Sequence, residues 1–430
     1  MIKFLQNKTL FFFVFIVLLV SAVFVWRYFY FYSIDLSPDF EKNIFRPFFR
    51  NNLAPFYGLD ISSHLNFITL SLNFTLILFL YYWVNKIQSF KLTIIFVLFL
   101  IFLLASKESI LRIYDTYSHF QTFSDDLKFF KNSGDIFCTY QIKQFSLGIH
   151  NGHYPPGQLI LLSLFPVVLI KFFLYSLLFP IFFCLDKVAL KLNLKKSKFL
   201  IFVLIPSLVI FPSLDFVILS GFFFIITLYL LLYKPRYFEY LIGITLTFWI
   251  FFNFNIFIGL FFVLLLFLLQ KPSWKEFLLI LLKAGAIPIF TYLFLYFIFN
   301  FSIVKIFLQA VNQNQYLLNG NPFNSLLQYF LISIGNILNY ILGFGPLFFV
   351  IFYQAFVIKN KIAITLIFTI LILSFSGLFF METDRVWYFI SFLAVILIDD
   401  FFFSLSKLSS WFLIIISLLY VLIVEMFLVQ

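Results

Sequence analysis

Charged side chains are scarce in this chain. Only 11% of its 430 residues are charged, whereas 63% are hydrophobic. A soluble domain has about 25% charged and about 45–50% apolar residues, because its surface must be hydrated. The composition therefore excludes a water-soluble globular fold.

Cysteine is equally scarce, since the chain contains only Cys138 and Cys184. A disulfide scaffold needs several cysteine pairs, and a cysteine-based structural zinc site needs more thiol ligands than two distant cysteines supply. Both kinds of scaffold are excluded. No disulfide is expected between these two residues either, because they belong to loops predicted on opposite faces of a membrane.

Long apolar runs occupy most of the chain. A helix needs about 20 residues to cross roughly 30 Å of hydrocarbon, and backbone groups inside a bilayer find no water partner, so such runs must be helical. We predict an all-α integral membrane protein with about 11–13 transmembrane helices, organised as a single polytopic domain over residues 1–430. The predicted spans are 9–27, 65–84, 92–105, 157–180, 199–212, 215–233, 238–252, 255–270, 277–300, 326–345, 362–380, 386–403 and 409–428.

Basic residues alternate between the predicted spans. Lysine and arginine cluster in every second connection, which the positive-inside rule assigns to the cytoplasm, so the net charge of +11 indicates topology and predicts no nucleic-acid partner. The basic connections lie near residues 86–91, 187–198, 234–236, 271–275, 359–361 and 407. We therefore predict a multi-pass protein of the cell (inner or plasma) membrane with a cytoplasmic N-terminus. The first apolar run is longer than a signal-peptide core of about 7–15 residues and lacks a convincing cleavage site, which favours a retained first span.

Three predicted outer connections and one interrupted apolar run bear on function. Three connections are predicted on the outer face, at 28–64, 106–156 and 301–325, and long connections in compact proteins are typically functional or disordered. We expect the first two to fold over the outer membrane surface. Separately, Gly343, Gly345 and Pro346 interrupt an over-long apolar run, which indicates a kinked helix or a re-entrant segment.

Acidic and imidazole side chains concentrate in the first two outer loops. The first loop contains Asp35 and Asp39, whose carboxylates near the membrane interface are candidate general bases, although a solvated acidic turn explains them equally well. The second contains Asp115 and ends in His150-Asn-Gly-His153-Tyr154-Pro-Pro-Gly. Proline is tolerated in a first helical turn, so a helix N-terminus able to hold a phosphate is predicted beside these residues. A plain helix start and a divalent metal site on the two histidines stay open as alternatives.

Charged residues also occur at two later outer turns. Asp215 follows Pro212-Ser213-Leu214, where it suits the first turn of a helix or a ligand site. Glu382 and Arg385 lie in a short turn between two apolar runs. Charges so close to hydrocarbon are expected either to pair with each other or to bind a ligand, and the planar guanidinium of arginine suits a phosphate.

Taken in chain order, these features resemble the polytopic glycosyltransferases of the GT-C fold. The features are the acidic first outer loop, the His-x-x-His-Tyr-Pro-Pro-Gly end of the second, Pro-Ser-Leu-Asp at 212–215 and Glu-Thr-Asp-Arg-Val-Trp at 382–387. The resemblance extends over most of the chain. It is closest in kind to bacterial and archaeal proteins of the cell envelope with a Pro-Pro-Gly loop and a late Glu-x-x-Arg-x-Trp turn.

The resemblance implies an inverting membrane glycosyltransferase. Such an enzyme moves a sugar, here a mannose-like hexose or a pentose, from a polyprenyl- or dolichyl-phosphate donor to a lipid, glycan or protein acceptor on the non-cytoplasmic face. The first outer loop lacks the adjacent Asp-Glu pair of several members, so the catalytic base stays open between Asp39, Asp35 and Asp115. The residues implied in binding substrate or lipid phosphate are His150, His153, Tyr154, Asp215, Glu382 and Arg385. No cofactor is implied, and a divalent metal stays open.

Two other functions remain as alternatives. A polysaccharide polymerase or ligase also acts outside, but such proteins usually rely on a large loop late in the chain, whereas the large loops here come early. A lipid or glycan transporter (flippase) usually needs ionisable groups at mid-span or paired inverted halves, and the sequence indicates neither.

Overall fold

The fold was analysed in a computed structural model that describes residues 125–147, 152, 154–194, 205, 217–269, 272–317, 326–376, 388–402, 405 and 407–428. Every regular element in these ranges is a helix, so the all-α prediction is confirmed for this part of the chain. The helices are α1 (Ser133–Lys143), α2 (Gly157–Leu164), α3 (Val167–Ser176), α4 (Leu178–Lys191), α5 (Val217–Tyr233), α6 (Phe238–Phe252), α7 (Ile256–Leu269), α8 (Trp274–Phe299), α9 (Ile303–Leu317), α10 (Leu326–Phe344), α11 (Phe348–Phe356), α12 (Lys361–Phe375), α13 (Tyr388–Phe402) and α14 (Lys407–Leu428). Short 3₁₀ turns at Asp126–Phe129 and Gln144–Ser146 flank α1.

The described helices fall into two compact units, α1–α9 and α10–α14. In the first unit α6 packs against both α5 and α8, while α4 and α7 pack against α5. The α6–α8 contact depends on Gly243, where a β-carbon would lie only 2.7 Å from the carbonyl oxygen of Ala284. Because this neighbour is backbone and cannot rotate away, a side chain at Gly243 would push the two helices apart.

In the second unit α12 packs against α10, α11 and α13. The hydroxyl groups of Tyr340 and Ser391 lie 2.9 Å apart, and the Gln354 amide donates a 2.6 Å hydrogen bond to the Leu397 carbonyl. These bonds tie α13 to α10 and α11 in a buried environment, where an unmade hydrogen bond would be costly.

The predicted interruption after residue 343 is confirmed. Helix α10 ends at Phe344, where Gly345 adopts a positive φ of 78° and Pro346 follows, so the helix cannot continue. Helices α11 and α12 then meet at an angle of 114°, a geometry that fits a broken span or a re-entrant segment.

One predicted span differs from the structure. The sequence predicts a continuous helix over 157–180, but α2 ends at Leu164, Phe165 is extended (φ −133°, ψ 145°) and α3 begins only after Pro166. Proline disfavours the helical conformation of the residue that precedes it, so the apolar run breaks at this point despite its hydropathy.

Two described helical stretches are long and apolar enough to cross a membrane. They are Phe172–Lys191 and Trp274–Phe299, and the bent pair α11–α12 makes a third if it forms one span. Several other apolar helical stretches in the described ranges are shorter, such as Phe238–Phe252 and Ile218–Tyr233. The full number of spans, the single-domain organisation and the orientation of the N-terminus stay predictions.

Candidate functional site

Most of the residues that the sequence indicates for function lie outside the described part of the chain. Tyr154 alone lies within it. The others are Asp35, Asp39, Asp115, His150, His153, Asp215, Glu382 and Arg385. Tyr154 and the helix that follows it are therefore the described part of the predicted site.

A folded segment covers one end of the first unit, and we call residues 126–147 the cap. Its central helix, α1, buries Ile136 and Tyr140 completely. These two side chains pack in one apolar cluster with residues of α2, α8 and α9, and the cluster comprises Leu147, Leu159, Ile160, Tyr292, Phe301 and Ile306. A segment of the predicted 106–156 connection thus shares one hydrophobic core with residues of α2, α8 and α9.

The cap holds Tyr154 through Tyr140. The Tyr140 hydroxyl donates a 2.5 Å hydrogen bond to the Tyr154 backbone carbonyl. Burial raises the pKa of Tyr140 far above its usual value, and the nearby carboxylate of Asp126 raises it further, so the hydroxyl keeps its proton and stays a donor. Asp126 is itself only 5% exposed, and the 3₁₀ turn that contains it packs against α2.

Two glutamines at the C-terminal end of the cap bind backbone groups far away in the sequence. The Gln141 amide nitrogen donates to the Asn300 carbonyl at 2.7 Å, and its oxygen accepts from the Ser302 N–H at 3.3 Å. The Gln144 amide nitrogen lies 2.8 Å from the Gly152 carbonyl oxygen and 3.1 Å from that of Ile306. These contacts join the α8–α9 turn, α9 and Gly152 to the C-terminal end of the cap.

The Pro-Pro-Gly motif starts α2 at a point of close contact with α6. A β-carbon at Gly157 would lie 2.4 Å from the Phe251 carbonyl oxygen and 2.9 Å from two phenylalanine ring carbons. The next residue, Gln158, donates from its amide nitrogen to the Phe252 carbonyl at 3.1 Å, which satisfies one of the free carbonyls at the α6 C-terminus. Glycine is therefore needed at position 157 for packing.

The N-terminus of α1 is stabilised by its own polar residues. The Asn132 side chain accepts a 2.9 Å hydrogen bond from the Asp135 N–H, as an N-cap residue does. A hydrogen bond from the Lys131 N–H, together with the Lys143 ammonium group 3.2 Å away, holds the pKa of Asp135 below its ordinary value. The Asn132 cap and the Lys143–Asp135 ion pair thus stabilise α1.

The opposite end of the first unit has a different chemistry, and we call it the basic end. Lys234 pairs with Glu276, and Lys283 lies 3.3 Å from Glu239. The Tyr233 hydroxyl donates to the Lys187 carbonyl at 2.8 Å. These residues belong to connections that the sequence assigns to the cytoplasm or lie next to them, whereas the cap belongs to a connection assigned to the outside.

The sequence did not single out the residues that hold the cap. Tyr140, Gln141 and Gln144 are neutral residues without a motif, and their partners lie up to 162 residues away in the chain. The available signal was the position of these residues in the predicted 106–156 connection.

The described ranges contain no group of three histidine, cysteine or carboxylate side chains that could hold a metal ion, and His150 and His153 lie outside these ranges. Comparison of the chain with protein-family models, with curated proteins and with solved structures finds no match. The resemblance to GT-C glycosyltransferases therefore rests on the sequence motifs alone and stays a prediction.

Proposed function

We propose that the protein is a polytopic membrane glycosyltransferase that moves a sugar from a polyprenyl-phosphate donor to an acceptor on the non-cytoplasmic face. The observation that carries the proposal is the cap, a polar segment held rigidly over one end of an apolar helical unit, next to Tyr154 and the Pro-Pro-Gly motif. A transferase acting on a lipid-linked sugar needs polar groups fixed at the end of a membrane-spanning bundle, where the phosphate lies.

The cap supports this function better than a plain loop would. Catalysis of a displacement requires a base and a charge clamp that keep their geometry without reorganising during the reaction. In the cap, hydrogen bonds from Tyr140 and Gln144 hold the backbone carbonyls of Tyr154 and Gly152. In the sequence Gly152 and Tyr154 stand on either side of His153.

The proposed reaction is a single displacement with inversion. A carboxylate, from Asp39, Asp35 or Asp115, removes the proton of an acceptor hydroxyl while its oxygen attacks the anomeric carbon. The bond from that carbon to the phosphate oxygen breaks, and the lipid phosphate leaves with the electron pair. Arg385 and His153 stabilise the departing phosphate, whereas His150, Tyr154, Asp215 and Glu382 complete the substrate site.

A reconstituted assay tests the proposal. The purified protein in liposomes is incubated with a radiolabelled polyprenyl-phosphate hexose and a pool of envelope lipids and glycans, and transfer is measured per folded protein. The Asp35→Asn, Asp39→Asn and Asp115→Asn variants are compared with Asp125→Asn, an exposed carboxylate of the chain that serves as the matched control. Loss of a general base lowers the rate by about 100-fold or more, so one of the three variants should fall that far while the control keeps its rate.

One outcome would reject the proposed bases, and two would reject the proposed function. If all three variants transfer sugar like the wild type, the base lies elsewhere. Transfer of whole glycans from a lipid diphosphate would favour the polymerase or ligase alternative. Movement of labelled lipid across the bilayer without any transfer would favour the transporter.

Arg385 allows a sharper test of the phosphate clamp. Arg385→Lys keeps the positive charge but loses the planar pair of donors, so turnover should drop strongly if arginine binds the phosphate bidentately. If Arg385 only neutralises Glu382, lysine should be nearly sufficient. Turnover close to the wild-type value in Arg385→Lys would remove this residue from the site.

A further inference from the structure

An apolar groove runs along the first unit beside α8. Its volume is about 620 Å³. Its floor is a stripe of α6, namely Ile242, Leu246 and Ile250, which recur every fourth residue on one helix face. Residues of α7 and α8 form its two walls.

The groove has the length of a membrane hydrocarbon layer. It extends along α8 from Phe277 to Tyr296, a distance of about 28 Å at 1.5 Å per residue, close to the roughly 30 Å of the bilayer core. At the basic end the rings of Phe267 and Phe277 stack at 6.3 Å and join the two walls. At the capped end the groove is bordered by Phe301, in the α8–α9 turn, and by Ile303, the first residue of α9.

The lining is almost wholly apolar, and its polar residues are Thr227, Tyr292, Tyr296 and Ser302. None of the residues that border the groove is charged. The Thr227 hydroxyl donates to the Phe223 carbonyl at 2.8 Å, and that of Tyr292 donates to the Thr247 carbonyl at 2.8 Å, so both are already satisfied inside the protein. A hydrocarbon chain is the chemical partner that such a surface fits.

The groove is continuous with the surface that α8 presents to the membrane. Helix α8 is long enough to cross a bilayer, and only 17% of its apolar window is buried in the protein. Ile289 on the rim is 60% exposed, and Phe290 and Phe297 on the open face are 71% and 78% exposed. Chains of the surrounding bilayer therefore reach the groove directly.

We propose that this groove binds an acyl chain of a membrane phospholipid as a stable part of the protein. The proposal is independent of the transfer reaction. Within the groove, Gly285 is the position that keeps space for the chain, because a β-carbon there would meet no atom within 4 Å. Gly243 on α6 differs, because a β-carbon there would lie only 2.7 Å from the Ala284 carbonyl oxygen of α8.

A larger side chain at position 285 fills the space beside Gly285 and tests the proposal. Gly285→Phe places a ring in the groove and should displace roughly three methylene groups, which at about fourfold in affinity for each corresponds to roughly sixtyfold weaker binding. The full-length protein is extracted in a mild detergent and washed, and the phospholipid retained per protein is counted by native mass spectrometry. Wild type should retain one phospholipid, and Gly285→Phe should lose it while its thermal unfolding stays cooperative.

Leu282→Phe is the matched control, because Leu282 is 68% exposed on α8 and does not border the groove. It should retain the lipid like the wild type. A photoreactive side chain at Leu293, which borders the groove, should capture phospholipid in the washed protein. Equal lipid retention in folded Gly285→Phe would overturn the proposal. So would capture at Leu293 of another segment of the chain, a second copy or a polyprenyl phosphate.

Discussion

The two ends of the first unit are held together by different interactions. At the capped end Tyr140 and Gln144 make neutral hydrogen bonds that are buried. At the basic end the side chains of the Lys234–Glu276 pair are 42% and 34% exposed. Water can replace a lost partner at an exposed pair but not in a buried site. The capped end should therefore be rigid and sensitive to substitution, and the basic end tolerant.

Gly157 should give the largest effect. Gly157→Ala places a β-carbon against the Phe251 carbonyl oxygen, so α2 must move and the free energy of unfolding should fall by about 3 kcal/mol. Gly285→Ala is the control, since its β-carbon enters open space in a helix and should raise stability by about 0.5–1 kcal/mol. Denaturant titration in micelles measures both. Equal effects of the two substitutions would mean that α2 does not pack closely on α6.

Gln144 comes next. Gln144→Leu keeps the volume but leaves the Gly152 and Ile306 carbonyls without their donor, which should cost about 2 kcal/mol and expose the cap to protease. Gln309→Leu in α9 is the control, because the amide oxygens of both glutamines have no hydrogen-bond partner among the described residues, whereas the donor bonds to Gly152 and Ile306 belong to Gln144. Limited proteolysis together with unfolding curves distinguishes the two. A cap that resists protease equally in both variants would show that the hydrogen bonds of Gln144 do not hold the cap in place.

Tyr140 tests a single hydrogen bond of the cap. Tyr140→Phe removes the donor to the Tyr154 carbonyl while keeping the packed ring, so stability should fall by about 1 kcal/mol. Tyr237→Phe at the basic end should change little, since Tyr237 is 57% exposed. Hydrogen exchange of the amides around residue 154 reports the local loosening. Unchanged exchange in Tyr140→Phe would show that Tyr154 is positioned by other contacts.

Asp135 should make the cap sensitive to acid. Its pKa is lowered in the folded state, mainly by the Lys131 N–H, so its stabilising contribution is present above the ordinary value of 3.8 and disappears as the pH falls through that value toward the lower folded-state pKa. Asp135→Asn should flatten this part of the pH profile. Unfolding curves from neutral to acidic pH measure it, and a profile unchanged by the substitution would contradict the assignment.

The ion pair between Lys234 and Glu276 should give the smallest effect. Lys234→Met removes an exposed pair whose contribution is about 0–1 kcal/mol and is screened by salt. Stability should therefore change little in low salt and not at all in high salt. A loss as large as that of Gln144→Leu would erase the distinction between the two ends.

The prediction of secondary structure succeeded because it depends on local properties. The spans predicted at 238–252, 255–270 and 277–300 correspond to α6 (Phe238–Phe252), α7 (Ile256–Leu269) and α8 (Trp274–Phe299). Apolar runs and the basic residues between them lie within a few residues of each other, so hydropathy alone indicates where such helices begin and end. Pro166 was the exception, because its steric effect on Phe165 outweighs the hydropathy of the run.

The amino-acid sequence by itself determined that the chain is helical and apolar, where most described helices lie, and which connections are basic. The tertiary structure alone decided how the cap is held, why position 157 is glycine, and that α6, α7 and α8 leave a groove. Gln141 contacts Asn300 across 159 residues, and no local pattern marks either of them. Hydropathy is a property of neighbouring residues, whereas a hydrogen-bond partner or an unfilled space depends on which distant helices pack together.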